Sequence, residues 1–108
     1  MEIFEFNEQG FKVLMQFEGW KIGMLRYCER FSAHNGDERH LETDEAFVLL
    51  EGSAVLYEEE KEYVMEKCKV YNIKKGMWHH IVVSPDAYVM VIENSNTSAE
   101  NTERKCYP

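Results

Sequence analysis

Residues 38–63 read ERHLETDEAFVLLEGSAVLYEEEKEY. The run at 47–50 is continuously apolar, Glu51-Gly52 ends it, and 54–57 is β-prone again. Two short apolar runs split by a glycine turn predict a pair of strands. The crowded charges at 58–67 admit a short helix, but the β-prone runs on either side favour a hairpin with its tip at 58–62. Strand alternation points Glu38 and His40 the same way. Glu45 rejoins them after a bend at Thr43-Asp44.

Strand-like segments continue in both directions. Upstream, 11–17 and 20–27 are split by Glu18-Gly19, and a polar loop with an Asn-Gly turn signal follows at 32–37. Downstream, 69–73, 79–83 and 88–92 are separated by turns at 74–76 and 84–86. Turn signals recur about every 8–12 residues, the spacing of an all-β sandwich or barrel. Only 1–7 and 58–67 leave room for any helical turn. The last stretch, 95–108, is polar and lacks an apolar face, which predicts an irregular surface tail. The expected organisation is one domain over 1–108 with its core at about 11–94.

The chain has 108 residues, enough for one small core. Its formal net charge is −8, so its field repels phosphate and argues against nucleic acid or an anionic membrane as partner. Cys28, Cys68 and Cys106 are odd in number and lack paired spacing, which reads as reduced thiols in the cytoplasm. The N-terminus, MEIFEFNEQG, lacks the basic and apolar regions of a signal peptide. There is no phosphate-cradling glycine loop, nucleophile elbow or zinc-finger spacing.

These residues carry a resemblance. The chain resembles the cupins, whose first motif is G-x5-H-x-H-x(3,4)-E-x6-G and whose second is G-x5-P-x-G-x2-H-x3-N; His40, Glu45 and Gly52 fall on the first, Gly76 and His79 on the second. The similarity spans roughly 30–94 and departs at several positions. Glu38 stands at the first histidine, Ser32 and Cys68 at the leading glycines, Lys74 at the proline and Val83 at the asparagine. The resemblance implies a small antiparallel jelly-roll barrel with a divalent transition metal inside it, held by His40, Glu45, His79 and Glu38. Mixed imidazole and carboxylate donors suit Fe, Mn, Ni, Co or Zn, and the extra carboxylate favours the harder Mn and Fe. The competing reading has the histidines as hydrogen-bonding residues of a wet pocket and Glu38 in a surface ion pair.

Strand phase sends Phe47 and Leu49 inward with Glu45, and Ile81 inward with His79. Tyr27, Tyr71 and Trp78 are further candidates for the wall or mouth of a ligand pocket. His80 falls on the opposite face from His79, as a surface or second-layer residue, and His34 is expected to be solvated. The expected function is metal-assisted isomerase, lyase or oxygenase chemistry on a small polar metabolite, with Glu38 or Glu45 as general base. The alternative is a small-ligand-binding module without metal. The runs at 47–50 and 88–92 are apolar on both faces and call for a second cover, which predicts a homodimer or a covering N-terminal segment.

Overall fold

A computed structural model describes all residues, 1–108. Ten strands follow one another: β1 (Gly10–Phe17), β2 (Trp20–Arg26), β3 (Gly36–His40), β4 (Glu45–Glu51), β5 (Ala54–Glu58), β6 (Lys61–Val64), β7 (Val70–Ile73), β8 (His79–Val83), β9 (Tyr88–Asn94) and β10 (Thr102–Cys106). They form two antiparallel sheets, ordered β1-β2-β9-β4-β7 and β10-β3-β8-β5-β6. The only helical pieces are single 3-10 turns at Glu29–Phe31 and Ala99–Asn101. The all-β expectation holds, and the charged segment after Tyr57 is the β5–β6 hairpin, paired from Val55↔Val64 to Glu58↔Lys61. No helix is long and apolar enough to cross a membrane.

The core lies between the sheets. Val89 and Val91 from β9 and Leu49 from β4 meet Leu56 from β5, and all four are fully buried. Alternation explains the selection: Leu49 pairs with Val89 and Phe47 with Val91, so their side chains share one face. The β4–β5 turn needs Gly52. Its φ is +74°, and a Cβ there would sit 2.7 Å from the Ala87 backbone, closer than packing permits.

The stretch at 95–108 departs from expectation. It is not an irregular tail: Thr102–Cys106 is β10, paired in register with β3 from Thr102↔His40 to Cys106↔Gly36. An edge strand needs only backbone partners on one side, so it can lack the apolar period that marks inner strands. Beyond it the Tyr107 amide donates to Asn35 O at 3.0 Å, and the Tyr107 hydroxyl donates to Asp37. Upstream of the expected core, Phe6 is also buried, and its amide donates to the Tyr88 hydroxyl at 3.3 Å.

Candidate metal centre and its cavity

Glu38 and His40 leave β3 on the same face, as the two-residue repeat requires. Glu38 is paired with His79 at the start of β8. Glu45 opens β4 in the opposite sheet, where its partners are Glu93 and Ile73. The two sheets therefore deliver four donors to one point at one end of the fold: a donor atom from each of Glu38, His40, Glu45 and His79 lies within 4.8 Å of the others. His40, Glu45 and His79 are buried, and Glu38 is partly so.

Each imidazole is oriented from behind. His79 Nδ1 lies 3.0 Å from Met77 O, and a carbonyl only accepts, so Nδ1 carries a proton. A neutral His79 then turns its Nε2 lone pair toward Glu45 Oε1, 2.9 Å away. Two acceptors at that distance need a shared positive charge, either a proton on the ring or a metal ion beside both atoms. His40 Nδ1 is held by Thr102 Oγ1 at 2.9 Å, and its Nε2 stands 3.2 Å from the same Glu45 oxygen. Two imidazole nitrogens and two carboxylates converging in this way fit a divalent first-row ion by donor chemistry.

Electrostatics follow from burial and partners. Burial opposes charge on Glu45, but hydrogen bonds with His40, His79 and Glu93 outweigh it and hold the carboxyl well below the usual range. Burial likewise opposes charge on His79, and the hydrogen bond and charge of Glu45 overcome it, raising the pKa. Glu93 goes the other way. Burial, the hydrogen bond to Glu45 and the Glu45 charge push it up to about 8. Sequence reasoning missed Glu93, although counting inward by two from Val89 and Val91 along β9 reaches it.

Glu38 is divided between two tasks. Its Oε2 accepts from Arg30 Nη2 at 2.8 Å and Arg104 Nε at 3.1 Å, while Oε1 faces His40 Nε2 at 3.8 Å. Glu38 thus makes the ion pair of the competing reading with Arg30 and Arg104, and still turns one oxygen inward. Arg39 lies on the other face of β3 and pairs with Glu103 instead.

A cavity of about 430 Å³ opens beside the four donors. Phe11, Val13, Phe47, Ile81 and Val91 form its apolar wall. Among the expected pocket residues, Phe47 and Ile81 line it. The other four lie elsewhere. Leu49 is locked in the core, and Tyr27 packs against the core from its edge. Tyr71 faces a smaller recess with Leu56 and Ile73. Trp78 lies beneath Arg39 and Lys105, whose cations stand 4.5 and 4.3 Å from its ring centre. The 3-10 turn and β10 add what the sequence did not signal, with Arg30, Thr102 and Arg104 all on the cavity wall.

The remaining histidines form a second group. His34 is not simply solvated: its ring stacks on Tyr57 at 4.2 Å and its Nε2 meets Asp37 Oδ1 at 2.9 Å. His80 is buried and donates Nε2–H to Ala33 O at 3.0 Å.

No protein-family model matches the chain, and no curated protein matches it in sequence. Solved structures do. A Streptomyces Pac13 variant with uridine superposes with TM-score 0.74 at 8% identity, covering 99% of this chain and 93% of that one; Pac13 is described as a nucleoside dehydratase. A cupin-2 domain protein from Shewanella frigidimarina gives 0.66 at 20% identity, over 82% and 84% of the two chains. KdgF from Halomonas gives 0.68 at 12% identity, over 83% and 81%. Two five-stranded antiparallel sheets, joined in this order and superposing on these proteins over four-fifths or more of each chain, make this the cupin fold.

Proposed function

We propose that Glu38, His40, Glu45 and His79 hold one divalent first-row transition metal, and that the adjoining cavity takes a small polar metabolite for metal-assisted isomerase, lyase or oxygenase chemistry. One observation carries this reading: the Met77 carbonyl fixes the proton on His79 Nδ1 and so directs the Nε2 lone pair at Glu45. Such an ion supplies Lewis acidity to a bound carbonyl or carboxylate. The protein's own groups do the rest. Phe11, Phe47 and Val91 shield the reacting centre from water. Thr102 and Met77 keep both rings in register. Glu93 lines the same cavity outside the donor set, hydrogen-bonded to Glu45, and its raised carboxyl exchanges a proton with a ligand in place of the general base expected at Glu38 or Glu45.

Metal analysis of protein purified without a histidine tag tests the reading. The parent is expected to retain close to one first-row ion per chain, and His79→Ala to lose it. Equal metal content in the two overturns it. That result favours the metal-free binding module, a reading consistent with the close His79–Glu45 pair, which a ring proton alone would satisfy.

The same reading includes a homodimer in the cytoplasm. Ile22, Met24, Met90 and Ile92 alternate away from the core on the β2–β9 ladder and leave an apolar outer face. Ile3 and Phe4 are exposed, and of the N-terminal segment only Phe6 is buried, held at the Tyr88 and Arg26 end of that face, so the segment covers one end and leaves the rest. A second copy packing sheet on sheet supplies the cover. Sedimentation at micromolar concentration is expected to give twice the chain mass, and a monomer would refute the pairing. The three cysteines are unpaired, consistent with a reducing compartment.

A further inference from the structure

The protein is acidic, with a net charge of −8, yet its cavity wall carries three basic side chains beside its three carboxylates. Lys21, Arg30 and Arg104 all line it. Arg30 and Arg104 both contact one oxygen of Glu38, so a single carboxylate answers two guanidinium charges. Each guanidinium commits one N–H to that oxygen and makes no other hydrogen bond to the protein. A guanidinium carries five N–H donors in a planar fork, so most of each fork is uncommitted. Lys21 is spoken for: its ammonium donates to Thr97 O at 2.8 Å and lies 3.9 Å from Glu93. The excess charge and the spare donors therefore belong to the two arginines.

We infer that the cavity binds a small organic carboxylate, whose carboxylate group is held by the free N–H groups of Arg30 and Arg104 while its other end reaches the four donors. This rests on the proposed small-molecule site and names the class of ligand that site takes. The planar fork matches a carboxylate in bidentate geometry. Glu38 and Glu45 already face the same space, which penalises a phosphate dianion more than a carboxylate of single charge. The volume of about 430 Å³ admits a metabolite of modest size. Glu38 ties the anion subsite to the donor cluster, since one of its oxygens meets the arginines and the other faces His40.

Titration calorimetry on the full chain tests this with small acids set against their own amides: lactate and lactamide, pyruvate and pyruvamide, benzoate and benzamide. At least one acid is expected to bind ten times or more tightly than its amide, and added salt is expected to narrow the gap. Arg104→Gln and Arg30→Gln each remove a fork that is partly exposed, and each is expected to cut the acid-to-amide ratio about tenfold. The ratio is the readout because a merely structural role would weaken both members of a pair alike. Equal binding of acid and amide, a ratio unchanged in both variants, or tighter binding of inorganic phosphate than of any acid overturns the inference. If no acid binds although the metal is present, the anion subsite fails and the metal reading stands. If the metal is also absent, the underlying site fails with it.

Discussion

His79 and His80 are neighbours in β8, yet they sit in opposite electrostatic worlds. His79 points into the fold beside Glu45, at 2.9 Å. His80 leaves the opposite face of the strand, stacked near His34 at 5.7 Å, with a backbone carbonyl as partner. Burial works against charge on both rings. On His79 the hydrogen bond and charge of Glu45 win and the pKa rises; on His80 the Ala33 carbonyl does not outweigh burial and the His34 charge, and the pKa falls. A single strand thus presents one imidazole built to share a positive charge and one built to remain neutral. A partner carboxylate, rather than burial, separates a candidate ligand from a structural histidine.

The largest expected effect breaks that pair apart. His79→Ala should lower metal affinity by more than about a hundredfold, because it removes a donor directly. His80→Ala should leave the metal in place and lower the melting temperature, since it empties a buried position and orphans the Ala33 carbonyl. Metal content and thermal unfolding of both variants decide the matter. Loss of metal from both would mean that the two faces of β8 are not independent.

Glu93 sharpens the comparison from the acid side. Its carboxyl is raised from 4.5 to about 8 in the fold. Between those values the unfolded chain gives up a proton that the folded chain keeps. Stability contributed by the neutral carboxyl is complete below pH 4.5 and is lost as the pH climbs to about 8. His79 has the same sign, because a raised histidine favours the fold at low pH and ceases to do so as pH passes its folded value. Chelated protein should therefore lose stability from pH 5 to pH 8. Glu93→Gln is neutral at every pH and should be the more stable at pH 8, by on the order of 3 kcal/mol, with a flatter profile. The remaining slope belongs largely to His79. Denaturant unfolding at the two pH values measures both, and an unchanged slope in Glu93→Gln would refute the assignment.

Inner strands were the legible part of the sequence. The runs at 47–50, 54–57 and 88–92 were legible as strands because they are short, apolar and β-prone, but which of their residues fill the core was not, since Leu49 was expected in the pocket. The four donors were legible through the resemblance to the cupin motifs, on which His40, Glu45 and His79 fall; local spacing alone set only Glu38 and His40 on one face. What escaped was whatever depends on edges and tertiary approach. β10 is held at its edge by backbone bonds to β3, which leave no pattern in the sequence TERKC. Arg104 and Thr102 reach the cavity because that pairing brings Arg104 opposite Glu38 and Thr102 opposite His40, while Arg30 arrives from the 3-10 turn ahead of β3. Trp78 and Tyr71 drew notice as aromatics, but the turn before β8 and the β4–β7 edge carry them away from the donors. Composition marks an aromatic as buryable and leaves open what it will face.

The smallest expected effect tests the strained turn between β6 and β7. Cys68 stands where the cupin motif has glycine, and the backbone has kept the glycine conformation, with φ at +66°. A side chain with a Cβ is strained there by about 1–2 kcal/mol. The strain persists because the Cys68 amide is tied to Leu49 O at 3.2 Å, fixing the loop against β4. Cys68→Gly relieves the clash but gives the unfolded chain more freedom to lose. The two terms oppose each other, and relief of strain is the larger. The net should be a gain of about 0.5–1 kcal/mol in unfolding free energy, with metal content unchanged. A destabilised Cys68→Gly protein would mean that the thiol makes a packing contribution larger than the strain. In that case the departure from glycine at this turn would be an adaptation of this chain and not a tolerated cost.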